Sequence, residues 1–516
     1  MKTTVRYIQG LLVVATGMVL PCVAIAAIPQ SADSIHVLDK IERHDADLSV
    51  MDVSVYANPA LRQFKYVNSL TTVAVGYDIM RQSKAVSTQA GDGDDKALFD
   101  ATTYIKYKNS ALWGNGCYSN GHVRFPVWNE VADAELVYPY LTADSIGGDM
   151  KREIYRFSGG LASRIGNFVW GVELGYQAGQ YYRDVDPRPR NITGKLDISA
   201  GAGCVIGNYV LAVSGTFMTY KQTSDIDFMS ELGQTPIYHL TGLGSDYVRF
   251  RGNGMNTHYK GNRFGGSIDI VSEDRNGLFA SVKVARFTLE TILSDMNKLP
   301  MSSLWHNSID AAAGFRRSSG STAWQVACGF NAYRRHGKEN VFGDPASSTY
   351  PQIGTLELYA DNHWKACVSG LYEVQLGRLK VSYKPLFAYS HRCQVYADPG
   401  REWLVDHITT SHTLTARGRL SSRWYGNMGF GWSLYSPVKS NLGLNDYESG
   451  LPLLMEALES DFVYASSTQR SYSVSASAAY ALNRRNTLRF SADYERCSYV
   501  RSTFGNKVSV SAALIF

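Results

Sequence analysis

From Ser69 onward the chain is a succession of segments in which apolar and polar residues alternate one by one, which restricts it to sheet with one apolar face. In Leu488-Arg-Phe-Ser-Ala-Asp-Tyr494, Leu488, Phe490, Ala492 and Tyr494 take one face while Arg489, Ser491 and Asp493 take the other. Tyr472 to Tyr480 is equally regular, and Asn483-Arg-Arg-Asn486 joins the two tightly. The same pattern runs through Trp170 to Tyr176, Leu196 to Ala200, Trp324 to Ala332, Leu379 to Phe387 and Trp424 to Leu434. Segments of roughly ten residues suffice to cross a bilayer when tilted.

The connections decide between a soluble sandwich and a membrane barrel. Short turns are expected at Gly166-Asn167, Gly207-Asn208, Glu273 to Asn276, Arg317 to Gly320, Leu376-Gly377 and Ser421-Ser422. Between them lie long polar loops, roughly 183–192, 223–260, 291–303, 337–358, 392–406 and 437–468. A sandwich has no reason to keep every other loop short, whereas outer-membrane barrels pair short periplasmic turns with longer external loops. Trp170, Trp324, Trp424 and Tyr480 lie beside short turns, and Trp364, Trp432 and Tyr472 toward the long-loop ends, as two interfacial girdles require. The expectation is an all-β, antiparallel, up-and-down transmembrane β-barrel over 69–516, of sixteen to eighteen strands.

Composition agrees. Charged residues are 19% of the chain, Tyr (33) and Gly (46) are abundant, and beyond the N-terminus no stretch is apolar enough for a spanning helix. Lys2 and Arg6, then Leu11 to Leu20, then Ala24-Ile-Ala26 read as a signal peptide over 1–26. Its loss would take two cations and no acid, so the net charge falls from +5 to +3 and gives no reason to invoke nucleic acid. Outside that leader, six cysteines are scattered without metal-ligand spacing, so neither bridges nor a metal or other cofactor are expected. Cys204 and Cys328 fall on the lipid face.

Residues 27–68 do not alternate. They read as a periplasmic or lumen-inserted segment with a short amphipathic helix over Ser34 to His44. Asn58-Pro59-Ala60 within it resembles the Asn-Pro-Ala near the N-terminus of barrels that import hydrophobic molecules, and is also an ordinary turn start.

A barrel of this size has a lumen. Inward positions carry Glu173, Lys195, Asp197, Asp269, Lys283, Asp310, Lys380, Lys384, Arg417, Arg419, Arg489, Asp493 and Glu495, a mixture that argues against a single-sign selectivity ring. Lys380, Lys384, Arg417 and Arg419 form one basic cluster, open to anionic solutes or to bracing carboxylates. Two loops exceed what a connection needs. Residues 223–260 are apolar enough to fold inward, and 450–464 suggest a helix with Pro452 in its first turn and Leu454, Leu458 and Phe462 on one face, a loop lid. Asn120-Gly-His122, His306-Asn-Ser308 and Asp406-His407 are isolated pairs without a third partner, so no enzyme is expected.

The last strand, Lys507 to Phe516, sets Val508, Val510, Ala512, Leu514 and Phe516 outward, and Phe516 stands at the membrane boundary. This resembles the closing strand of bacterial outer-membrane barrels, whose terminal Phe is an assembly signal read by the barrel-assembly machinery. Taken whole, the chain resembles the large outer-membrane barrels of Bacteroidota. The resemblance implies an outer-membrane location and work beside a TonB-dependent transporter or surface lipoprotein. Without a large plug domain the chain departs from such transporters themselves. Three functions follow as expectations: a passive channel or solute-uptake barrel, a plugged barrel that binds a partner, and lateral delivery of hydrophobic compounds.

Overall fold

The computed structural model describes residues 36–46, 54–230, 235–252, 256–345, 350–446 and 451–516; the expected leader lies outside them. Eighteen antiparallel strands form one closed sheet. They are β1 (Leu70–Gln82), β2 (Gly93–Lys106), β3 (Ser110–Arg124), β4 (Met150–Ile165), β5 (Phe168–Tyr182) and β6 (Arg188–Ile206). Next come β7 (Tyr209–Asp227), β8 (Thr257–Ser272), β9 (Gly277–Leu293), β10 (Leu299–Ser319), β11 (Thr322–Phe342) and β12 (Gln352–Leu376). The last six are β13 (Leu379–Tyr396), β14 (Arg401–Arg419), β15 (Trp424–Leu444), β16 (Gln469–Ala481), β17 (Thr487–Ser498) and β18 (Phe504–Ile515). Each strand pairs with its chain neighbour, and β1 pairs with β18. The Phe516 N–H donates to the Thr71 carbonyl at 2.9 Å and Thr71 returns the bond at 2.8 Å, so the final residue seals the seam.

Alternation sets which face each residue takes. Val508, Val510 and Leu514 on β18, and Leu278, Val282 and Val284 on β9, are exposed on the outside. Such a belt is stable only in lipid. Cys204 and Cys328 are exposed thiols of that belt, and among the described residues no cysteine is bridged.

The short turns fall at Gly166-Asn167, Gly207-Asn208, 273–276, 420–423 and 482–486, with Gly166 and Gly207 at φ +60° where a side chain is strained. Two expected turns shift by a residue or more, to Gly320-Ser321 and Gly377-Arg378. The expected long loops need a larger correction. β6, β10, β12, β13 and β14 continue past the membrane, so the loops there shrink to 183–187, 294–298, 343–351 and 397–400. The two largest become 228–256 and 445–468. Above the bilayer neither face needs to be apolar, so alternation fades while the backbone ladder continues. A third long loop, 125–149, was not singled out by sequence.

Candidate functional site

Helix α1 (Val37–His44) and two 3₁₀ turns (Val55–Ala57 and Pro59–Phe64) lie inside the barrel at the short-turn mouth. The α1 face Val37, Leu38 and Ile41 packs on Tyr425, Ala479, Ala481 and Ile515 of the inner wall. Its start is tied to a short turn, because the Val37 N–H donates to the Arg484 carbonyl at 3.0 Å. Its polar face meets the wall cations: Asp39 contacts Arg419 at 2.5 Å, Glu42 contacts Lys380 at 2.9 Å and Asp45 contacts Arg489 at 3.1 Å. Arg417, nearly buried, donates to the Asp45 carbonyl at 3.1 Å and pairs with Glu373. Three of the four residues of the basic cluster are therefore occupied by this plug or bonded to it, and Lys384 makes contacts of its own.

Asn58-Pro59-Ala60 is the second anchor. The Ala60 N–H donates to Asn58 Oδ1 at 3.0 Å, which caps the 3₁₀ turn. Asn58 Nδ2 donates to Asp269 at 2.9 Å, and Ser267 and Ser281 each donate to Asp269 at 2.5 Å. Opposite this tripeptide stand Gly171 and Gly201, direct partners across the β5–β6 pair. A Cβ on Gly171 would sit 2.5 Å from the Pro59 carbonyl, and one on Gly201 would sit 2.1 Å from Asn58 Oδ1. The two glycines form a notch that admits the plug backbone. Val55, Ala60 and Leu61 then bury against Val169, Val210, Val271 and Phe279. Arg62 bonds Glu173 at 2.7 Å, Lys283 donates to the Ser54 carbonyl at 2.5 Å, and the inward charges of this wall are largely spent on the plug.

The long-loop mouth is covered as well. Loop 125–149 contributes Trp128, Val131, Val137, Tyr140 and Leu141 to a core with Tyr220, Tyr259, Phe287 and Leu304 of the wall. Thr142–Ala143, Tyr238–Gly242 and Ser245–Asp246 pair as a small sheet across it. Arg183 fixes this cover from the wall side, 2.8 Å from Glu130 and 2.7 Å from Asp144, with all three side chains buried. Burial pushes the Glu130 carboxyl well up. Burial also opposes ionisation of Asp144, but bonds from Glu130 and Arg183 outweigh it and hold that carboxyl below its ordinary value. Arg401 clamps the two other loops, donating to the Leu243 carbonyl at 2.9 Å and the Asp446 carbonyl at 3.1 Å.

The expected helix of the last long loop exists as α2 (Pro452–Ala465), with proline at its start. The face is as expected in place but uneven in burial. Leu454 is buried in the outer core, Leu458 lines the chamber below, and Phe462 meets the edge of Trp403 at 5.0 Å. Asp461, which sequence did not single out, latches α2 to the β1–β2 loop. The Thr88 N–H and hydroxyl donate to it at 3.0 and 2.8 Å.

Burial raises the Asp461 carboxyl to about 6. A docked lid thus holds this proton more tightly than a free one, so docking is strongest below pH 4 and weakens as pH climbs through about 6. A nitroxide at exposed Leu453 is expected to be more mobile at pH 7.5 than at pH 5 in wild type, and equally mobile at both in Asp461→Asn.

Under the cover lies a chamber of about 1100 Å³, bordered by Tyr181, Tyr220, Tyr333, Trp403 and paired ions such as Arg392 with Asp361 at 2.9 Å. A smaller space of about 410 Å³ adjoins it through Gln177 and Lys195. The pairs Asn120/His122 and Asp406/His407 stand on separate strands, β3 and β14. His122 lies 3.5 Å from Asp95, and Asp406 binds outward-facing His391 at 2.6 Å. Among the described residues no group of three or more His, Cys, Asp or Glu could hold a metal.

A family profile described as "Family of unknown function (DUF6850)" matches residues 59–516. The chain belongs to this family. No curated protein matches it. Among solved structures, this DUF6850 member is similar to a ferric enterobactin receptor variant from Pseudomonas aeruginosa, at 7% identity over 87% of this chain and 81% of that one, with TM-score 0.39. It is similar to the siderophore receptor PirA from Acinetobacter baumannii, at 8% identity over 87% and 81%, with TM-score 0.35. It is also similar to the CymD monoaromatic hydrocarbon channel, at 11% identity over 90% and 91%, with TM-score 0.31. The overlaps are loose; the barrel itself is read from the closed strand pairing. The protein is an outer-membrane-type β-barrel.

Proposed function

We propose that this barrel is a gated solute-uptake channel of the outer membrane, closed at rest, with its N-terminal segment as the inner gate and α2 with its neighbouring loops as the outer lid. The observation that carries the reading is the mode of closure. Among the described residues the plug is held by ion pairs, two apolar patches, a glycine notch and hydrogen bonds such as buried Asn58–Asp269, without a disulfide or a ladder strand shared with the wall. Such contacts exchange with water and salt, so the plug can leave while the eighteen-strand ladder persists. A solute would enter the chamber past α2 and leave past α1. The reading narrows the expected passive channel or solute-uptake barrel to a gated one, and it assigns transport rather than catalysis.

Solute efflux from proteoliposomes tests it. Wild type should leak slowly. A variant with residues 451–465 replaced by a Gly/Ser linker, combined with Asp39→Asn, Glu42→Gln and Asp45→Asn, should release small polar solutes at once. If the combined variant, shown to be folded, is as tight as empty liposomes, the transport reading fails and a plugged barrel that binds a surface lipoprotein or transporter takes its place. Lateral delivery gains no support from Asn58-Pro59-Ala60, whose polar groups are spent on holding the plug.

A further inference from the structure

The outer wall carries a line of cations that transport through the lumen does not use. On β7 the exposed apolar run of Leu211 and Val213 leads up to Lys221, and on β8 Ile268 and Phe264 lead to Lys260. On β9 the run of Val282 and Val284 ends at Arg286, and on β11 Val326 and Phe330 lead to Arg334. All four cations are exposed. Lys260 stands as many residues above the short-turn end of its strand as does Trp364 of the upper aromatic girdle, so the line follows the upper edge of the apolar belt.

The pairing is unusual. Lys221 and Lys260 are direct cross-strand partners, and like charges so placed repel. Arg286 and Arg334 flank Asn307 in one continuous row. Glu290 faces Lys260 on the next strand but forms no ion pair with it, and Arg334 bonds only the neutral Asn362 at 3.0 Å. Among the described residues, no carboxylate stands within ion-pair distance of any of the four.

We propose that this edge docks lipids of the outer leaflet whose headgroups carry phosphate monoesters. A phosphate between Lys221 and Lys260 turns a repulsive pair into two charge-assisted contacts, while the acyl chains lie on Phe264 and Val284 below. Arg286 and Arg334 extend the strip to a neighbouring headgroup.

The test uses the full chain folded in a neutral detergent, titrated with phosphatidic acid or phosphatidylcholine and read by native mass spectrometry. Wild type is expected to prefer phosphatidic acid. Lys221→Gln with Lys260→Gln should weaken it on the order of tenfold, given the contribution of each cation at an anionic surface. Arg470→Gln with Arg496→Gln, on the far wall, should change it less than about twofold. Millimolar inorganic phosphate should not displace the lipid. Equal affinity in the two double variants, equal binding of both lipids, or displacement by inorganic phosphate would each overturn the proposal. If the lysine pair fails to fold, Arg286→Gln with Arg334→Gln serves instead and must also lose affinity.

Discussion

Gly201→Val is expected to expel the inner plug and leave the barrel standing. The valine Cβ would need the place of Asn58 Oδ1, 2.1 Å away, and Gly171 on the next strand offers no relief because Pro59 already fills the space over it. Overpacking costs about 1–3 kcal/mol. Breaking the buried Asn58–Asp269 bond, whose acceptor is charged, adds roughly 1.5–3 kcal/mol. Together they raise the population of the plug-out state by roughly a hundredfold or more. The ladder around Gly201 is antiparallel sheet that valine favours, so the melting temperature of the barrel should move little. Thiol labelling of an Ala60→Cys variant in the two backgrounds reads the plug directly. Gly215→Val, at a position where a Cβ meets nothing within 4 Å, is the control and should label as slowly as wild type.

Neutralising the plug helix has the second-largest effect. In the variant Asp39→Asn, Glu42→Gln, Asp45→Asn, the wall keeps Lys380, Arg419 and Arg489 and loses their acidic partners on the plug, while Arg417 stays paired with Glu373. These pairs are half-exposed, so each contributes roughly 1 kcal/mol and the three about 3 kcal/mol, a further hundredfold toward opening. Wild-type opening should itself increase with salt, because screening weakens the same pairs. The open pore then presents an uncompensated cationic ring near its inner mouth. Reversal potentials across a KCl gradient should therefore show anion preference in this variant and in Gly201→Val. A cation-preferring open state would mean that the ring is neutralised by something other than α1.

The barrel was legible because lipid imposes a rule that every strand obeys. Each outward residue between the girdles must be apolar, and the count of eighteen follows from turns such as Gly166-Asn167 and Gly207-Asn208, which backbone sterics fix locally. Strand ends were misjudged where that rule lapses: β12 continues over Gln352 to Leu358 with most side chains exposed and no period left to read. The basic cluster and the lid helix were identified as features, but their meaning depended on partners far away in sequence. Arg419 and Asp39 meet only because the chain re-enters its own barrel. The notch had a faint signal, since Gly171 and Gly201 occupy inward positions of neighbouring strands, where a small residue leaves room for something else. Asp461 and Thr88 had none, because a loop-to-loop hydrogen bond follows no period.

Single-channel conductance of the refolded protein in a planar bilayer, wild type beside Gly201→Val, tests the gated reading most directly. Wild type should be silent apart from rare brief openings that become more frequent with salt, and Gly201→Val should hold long, anion-preferring open states. A wild type that conducts steadily with its plug shown to be in place, or a Gly201→Val barrel that stays silent after its plug is shown to be out, would contradict the account.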